Sequence, residues 1–481
     1  MEDRAPGNGL RAQVLGGGAY LVLRQGLGIA LSLLGLTLLL KQVGPKEYGL
    51  YSLVLGIYTY LFSVGQMGVG VYLVRREGRS TPEDFQQAFT FLAVWGTVLA
   101  LLVTVALPLL ERWLALEAFS AVALAVFAGL PLGLATLPLL AYLERELNFK
   151  RVALVELGGQ LVYYAIALLL AHRGFGVWAL VWGWWGQQLW VFFRLRKAVP
   201  IPLRPSWDWW KLKDMVGYGL GFSSSIWVWQ LRGLVAPLIV GKYLGPTEVG
   251  YIGLATRLVE SIAFVKAVAW RVSVSAFARV QSDKPKLARA IVEASELQVL
   301  ATGLPLLVFT FVGPYLVPSL LGPSWMPVIL LFPFIAVGYI VNAVFNMHSS
   351  ALYVLRRNLD VTLFHFFHVA LFALSSWVGV REWGLLGYGW AEVLALLSYV
   401  VVSRYAVRAV GPLDQRVALL WASSIGIALF WQSLGLWALL PMAAVFFAPF
   451  SRAKLAKLWR EVTSSTTSGV KIMFQEGEHG K

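Results

Sequence analysis

Five basic residues have no loop to occupy. Arg24, Arg232, Arg257, Lys266 and Arg271 fall inside, or at the edge of, long apolar runs. An Arg near the centre of a bilayer costs at least ~2.5–3.5 kcal/mol. Several in one chain therefore point to an aqueous cavity or to a ligand that neutralises them. Arg offers a planar fork of donors matched to phosphate oxygens. The chemistry that fits is recognition of a polyanionic headgroup, with phosphate or pyrophosphate the best match. At ~100° per residue, Arg257, Glu260 and Arg271 share one helix face, within about 60° of arc, and Lys266 points the other way.

A plainer reading stands beside this one. Arg257 can pair with Glu260 one turn on. Lys266 and Arg271 can snorkel to the interface. Arg24 and Arg232 have no obvious local acid, which favours the cavity. Glu260 is the one acid deep in that cavity. It can couple H+ or Na+ movement to transport, or simply hold Arg257 in place. Glu392 belongs to the second half of the chain but lies outside the cavity. Ser223, Ser224, Ser225, Gln230, His365 and His368 read as helix-packing residues. Trp227 and Trp229 can stack on sugar rings, but the chain has 21 Trp, so little rests on them. There is no Cys, hence no thiol nucleophile, disulfide or Cys-ligated metal. No cofactor and no metal site are expected.

The elements that must position these residues are membrane helices. The chain has 481 residues, 58% of them hydrophobic, and its mean hydropathy is +0.69. Apolar runs of about 20 residues recur throughout, the length that a hydrocarbon core demands of a helix. The expected fold class is an all-α polytopic membrane protein with about fourteen spans. Their limits are 15–40, 48–74, 85–110, 118–143, 152–171, 175–193, 214–241, 248–271, 290–313, 326–351, 359–380, 385–405, 416–433 and 435–450. The last two are short and close together, so twelve or thirteen spans remain open.

With the N-terminus cytoplasmic, the great majority of Lys and Arg fall in cytoplasmic loops. The outer loops hold Lys41, Lys46, Arg112, Arg173, Lys242 and Arg381. This obeys the positive-inside rule and puts both termini in the cytoplasm. Loop topology and anionic lipid headgroups absorb the net charge of +15, so no nucleic-acid partner is implied. No cleavable signal is expected before the first span.

A repeat gives the chain two halves. Gly44-Pro45-Lys46-Glu47-Tyr48-Gly49-Leu50-Tyr51 returns as Gly245-Pro246-Thr247-Glu248-Val249-Gly250-Tyr251-Ile252. The copies follow spans 1 and 7, a shift of six helices, so they have the same orientation. That predicts two pseudo-symmetric six-helix lobes related by an axis along the membrane normal. The N-lobe is 1–200 and the C-lobe 201–410. The basic, proline-rich segment 194–213 links them. Spans 13 and 14 occupy 411–455, and 456–481 reads as a disordered cytoplasmic tail.

Further motifs carry a resemblance. They are Leu143-Glu144-Arg145-Glu146-Leu147-Asn148-Phe149-Lys150-Arg151 and Gly174-Phe175-Gly176-Val177-Trp178-Ala179-Leu180-Val181. Val43-Gly44-Pro45-Lys46-Glu47, Leu244-Gly245-Pro246-Thr247-Glu248 and Leu321-Gly322-Pro323-Ser324-Trp325-Met326-Pro327 join them. Over about residues 15–410 the chain resembles the Wzx-type (WzxC-like) polysaccharide and O-antigen flippases of the MOP exporter superfamily. The resemblance implies a V-shaped, two-lobed fold in the bacterial inner membrane. It implies alternating access that carries an undecaprenyl-pyrophosphate-linked oligosaccharide from the cytoplasmic to the periplasmic leaflet, without catalysis. The implied partners are that lipid-linked oligosaccharide, membrane lipids, and glycan polymerase and glycosyltransferase machinery. One departure stands out. Many members of the family carry an Asp before the exit of span 7, and none is present near Ala236-Pro237. Its role cannot be carried over, which leaves Glu260 as the coupling candidate.

Three alternatives stay open. A lipid II flippase and a multidrug exporter belong to the same superfamily, although cationic drugs would call for an acidic cavity. A membrane-embedded oligosaccharide polymerase or ligase would need a sizeable outer loop with acids and bases, and the outer loops here are short. A non-transporting scaffold would leave Arg24 and Arg232 unexplained.

Overall fold

The computed structural model describes the backbone of residues 6–75, 81–116, 118–202, 204–457 and 460. Their side chains are described except at 6–25, 221–222, 267–268 and 271–272. Every regular element among the described residues is helical. Among them, seven helices are long and apolar enough to cross a bilayer. Leu436–Phe447 with Pro449–Lys457, bent by 65°, would make an eighth. The chain is an all-α polytopic membrane protein.

The fourteen expected spans do not reappear as a count, and the reason lies at the turns. Gly26–Gly65 runs through expected spans 1 and 2, and Asn358–Val410 through 11 and 12. The first is broken at Gly44 (φ +79°) with Pro45 behind it. The second is broken at Gly384 (φ +58°). Glycine takes these left-handed angles without a Cβ penalty, so two spans join with no loop between them. After Gly384 the chain returns on itself: a Cβ on Gly387 would stand 1.8 Å from the Gly379 carbonyl oxygen. Other expected spans are divided. Span 7 is Trp209–Gln230, a 3-10 turn at Leu231–Leu234 and a π turn at Ala236–Val240. Span 8 is Pro246–Ile262 and Val265–Val280.

Local sequence explains where helices start. The Asn148 side chain accepts from Arg151 N–H at 3.3 Å and opens Phe149–His172. Asp208 accepts from the N–H groups of Trp210 and Lys211 and opens Trp209–Gln230. These are N-caps that satisfy otherwise orphaned donors. Val177–Ala198 is capped from a distance: the Glu47 carboxylate of the first repeat copy accepts from Val177 N–H at 3.0 Å.

By contacts the chain forms two units. Unit 1 is Met1–Ser261, Val312–Ile335 and Arg357–Val401, and unit 2 is Ile262–Phe311, Ala336–Arg356 and Val402–Lys481. Within unit 1 the two repeat copies touch. A Cβ on Gly49 would stand 1.6 Å from the Pro246 carbonyl oxygen. The fully buried Trp325 meets Tyr48 of the first copy at 5.9 Å and Tyr251 of the second at 6.0 Å, both edge-on.

Unit 2 has its own core of Phe277, Leu287, Ile291, Met347, Ala351 and Val410. Its last described helix is fastened by the Lys454–Glu296 ion pair, by Lys457–Glu293 at 3.6 Å, and by Trp421 Nε1 donating to Ser451 Oγ at 2.8 Å. Of the expected tail 456–481, Ala456 and Lys457 close this helix, and 458, 459 and 461–481 lie outside the described residues.

Candidate functional site

Arg257 stands on Pro246–Ile262, a helix that begins with Pro at its first turn and Glu248 close behind. Proline supplies a preset φ there, and the acid complements the helix dipole. About three turns in, Arg257 Nη2 donates to Ser32 Oγ at 3.0 Å, joining span 8 to span 1. The bond goes across helices to Ser32 rather than along its own helix to Glu260. Tyr164 completes the knot. Its hydroxyl donates to the Ser32 carbonyl oxygen at 3.1 Å and lies 3.3 Å from Ser32 Oγ.

The backbone of span 1 is shaped for this contact. A Cβ on Gly35 would stand 2.5 Å from the Tyr164 ring, so glycine is needed for the ring to seat. One turn before Ser32, Gln160 Nε2 donates to the Gly28 carbonyl oxygen at 3.0 Å. Gly28, Ser32 and Gly35 thus form a stripe of small residues at i, i+4 and i+7 that lets Phe149–His172 approach closely.

Tyr48, Tyr51, Tyr163 and Tyr164 all lie within electrostatic reach of Arg257. Tyr48, Tyr51 and Tyr164 are buried, whereas Arg257 and Glu260 are exposed. This wall is an exposed arginine tied to Ser32, with tyrosines within electrostatic reach. It can offer an anion the charge and planar donors of Arg257. Glu260 is close enough to act electrostatically on Tyr48, so it belongs to the same wall.

Arg232 has a different setting. No acid lies near it in sequence, but its guanidinium forms an ion pair with the distant Glu392. The two residues are far apart in sequence, and the hairpin at Gly384 brings the acid back towards span 7. Tyr388, one turn before Glu392, donates from its hydroxyl to Glu392 Oε1 at 3.1 Å. The guanidinium also lies over Phe372, 4.9 Å from the ring centroid.

Lys266 belongs to unit 2, where its ammonium sits 4.6 Å from the Tyr339 ring centroid. The side chains of Arg24 and Arg271 lie outside the described residues. Of the sequence-derived candidates, the structure therefore brings Arg257 and Glu260 to one wall and sets Arg232 at a separate knot in unit 1.

Polar groups of spans 7 and 11 bond to neighbouring helices. His365 Nδ1 lies 3.0 Å from the Ser225 carbonyl oxygen, so that nitrogen carries the proton and donates. Ser398 Oγ gives its proton to the Ala395 carbonyl oxygen, so His368 Nδ1, 2.8 Å away, is the donor to Ser398. Trp229 lies against both imidazoles, with centroids at 4.9 Å and 5.2 Å. Trp227 donates to the Ser63 carbonyl oxygen at 3.0 Å.

Sequence reasoning missed Ser32, Tyr164 and the tyrosines of the wall. Tyr48 and Tyr51 lie inside the repeat that marked the turn, which was the available signal. Among the described residues no cluster of His, Cys, Asp and Glu could hold a metal ion.

Residues 38–330 match the model of a family described as polysaccharide biosynthesis protein. Among curated proteins, none matches this chain. Among solved structures, the chain is similar to the lipid II flippase MurJ in an inward closed conformation, with a TM-score of 0.72 at 12% identity, covering 93% of this chain and 100% of that one. It is also similar to an inward-facing multidrug resistance MATE family transporter of the MOP superfamily, with a TM-score of 0.63 at 16% identity, covering 79% and 94%. An outward-facing MATE transporter gives a TM-score of 0.51 at 14% identity, over 81% and 94%. At these identities the solved structures speak to the fold alone, and the family model, which spans more than half of the chain, speaks to kinship. The chain belongs to the polysaccharide biosynthesis protein family and has the fold shared by MurJ and the MATE transporters of the MOP superfamily.

Proposed function

We propose that this protein is a flippase for a polyprenyl-diphosphate-linked oligosaccharide. The diphosphate and the first sugars enter a cationic cavity from the cytoplasmic leaflet, and the polyprenyl tail stays in the bilayer. Alternating access then releases the headgroup to the periplasmic leaflet. The reading places the chain in a bacterial inner membrane with both termini cytoplasmic. It involves no bond-making step.

One observation carries the proposal: Arg257, an exposed residue, is bonded across helices to Ser32, with four tyrosines within electrostatic reach. An anionic ligand that displaces water there gains charge-assisted hydrogen bonds from a group already held in place. Arg24, on the same span as Ser32, is proposed as a second ligand. Lys266 and Arg271 are the proposed outlying members of the cationic set. Glu260, on the Arg257 helix, is the proposed coupling carboxylate for H+ or Na+. With Arg24 beside Arg257, the proposed positive charges outnumber the one carboxylate of Glu260, which favours an anionic lipid-linked glycan over a cationic drug. Lipid II, itself a diphosphate-linked glycan, satisfies the same chemistry, and its sugar and peptide parts set it apart.

The test is reconstitution in vesicles loaded with a lipid-linked oligosaccharide and probed with an external glycan-cleaving enzyme. The native protein should expose the headgroup at the outer surface, and Arg257→Met should not. Equal rates for the two, with both folded, would remove Arg257 from the pathway.

A further inference from the structure

Arg232 lies where span 7 loses its α-helical form. Leu231–Leu234 is wound tightly as a 3-10 turn, and Ala236–Val240 is wound loosely as a π turn. Pro237 sits inside the loose segment and has no N–H to give. It rests on span 2, where a Cβ on Gly56 would stand 2.7 Å from the Pro237 ring. Breaks of this kind in mid-helix mark places where a helix can bend.

The side chains around the break fasten it to one hairpin, Asn358–Ala395. Arg232 pairs with Glu392, whose side chain is 3% exposed against 23% for Arg232. Tyr388 donates to the second carboxylate oxygen, so both oxygens of Glu392 are occupied. Phe372 covers the guanidinium face, and Trp229, 6.0 Å from it, leans on His365 and His368. The titratable and charged groups at this knot are Arg232, Glu392, Tyr388, His365 and His368, contributed by span 7 and by the hairpin packed on it. A guanidinium committed to a buried carboxylate and an aromatic face has little left to offer a diphosphate.

We propose that the Arg232–Glu392 ion pair is a latch on the hinge of span 7, with Glu392 as its positioning residue, and that Arg232 is not a ligand of the headgroup. The pair holds the broken segment against the hairpin in this conformation and parts when span 7 bends. The proposal rests on the flippase reading for the diphosphate ligand and for the transport measurement, and the melting measurements do not depend on it. The binding measurement needs no assumption about movement.

Two experiments test it. In the first, Arg232→Met and Glu392→Leu are made singly and together. Arg232→Met strands the buried Glu392, Glu392→Leu strands the part-buried Arg232, and the double change removes both. Each single variant should melt well below the parent. The double variant should recover most of that loss and bind a polyprenyl diphosphate within about threefold of the parent affinity, whereas a ligand removed from a charged contact costs about tenfold or more. A loss of about tenfold in the folded double variant would make Arg232 a ligand and overturn the proposal.

The second experiment uses the absence of native Cys. Arg232→Cys and Glu392→Cys are combined and bridged with a short bifunctional thiol reagent. The bridged protein should stop flipping, and a monofunctional reagent on the same pair should not stop it. Equal rates for bridged and unbridged protein would mean that the pair never parts, and the latch would fall. If Arg257→Met bound and flipped normally while these results held, the headgroup site would be wrong and the latch would stand.

Discussion

Gly49 and Gly250 touch backbone to backbone: a Cβ on Gly250 would lie 3.1 Å from the Gly49 Cα and 2.5 Å from the Pro45 carbonyl oxygen. They are equivalent positions in the two repeat copies. Any side chain at either position must push the two turns apart. In an ordinary helix, Gly→Ala is favourable by about 0.5–1 kcal/mol. Here overpacking against backbone should reverse the sign, by about 1–3 kcal/mol. Gly49→Ala and Gly250→Ala should each lower the melting temperature in detergent. A melting temperature at or above that of the parent would mean that the turns part at little cost.

The Arg257 wall makes a graded prediction. Ser32→Ala removes one hydrogen bond to the guanidinium, worth about 0.5–1.5 kcal/mol, and should weaken binding of a polyprenyl diphosphate a few-fold. Arg257→Lys keeps the charge but loses the fork, and should weaken it by about tenfold or more. Equilibrium binding of a labelled diphosphate to the purified variants gives both values. A Lys variant that binds like the parent would reduce Arg257 to a point charge.

Glu47 makes a prediction about a remote cap. It alone among the described side chains is seen bonded to the start of Val177–Ala198. Glu47→Ala should cost about 0.5–2 kcal/mol, the usual range for a lost cap. Glu47→Gln keeps an acceptor and should cost less. Thermal unfolding of the two variants reads the difference, and equal melting temperatures for Ala and parent would show that water replaces the cap.

Lys454 holds Glu296, whose side chain is 1% exposed, while Lys454 itself is 33% exposed. Removing the Lys leaves a buried carboxylate without its partner, a loss of about 3–5 kcal/mol when both groups are buried. The partial exposure of Lys454 puts Lys454→Met at the lower end. The double change Lys454→Met with Glu296→Leu should melt near the parent. If the single and double variants melt alike, the pair contributes nothing through its charges.

Much of this molecule is legible in its residues, for reasons of different strength. Span length and apolarity follow from the thickness of a bilayer, so the all-α membrane class and the helical segments are readable directly. The turns at Gly44 and Gly384 are single residues, and a hydropathy pattern cannot show whether a helix ends there or bends. Arg257 is visible as a charge without a loop, but its bond to Ser32 joins spans 1 and 8, and no local pattern encodes that. Arg232 was visible in the same way, yet its partner Glu392 lies across the Gly384 hairpin. Span 7 carries Pro237 as its one warning of the break that the two residues fasten.

Trp325 has a consequence for how this chain can change over time. A duplicated segment normally drifts, each copy free to accept what its own surroundings allow. Here one indole is shared by Tyr48 and Tyr251. A substitution that suits it on one side alters the fit on the other. The two copies are therefore tied in their divergence at this point through a third residue that belongs to neither.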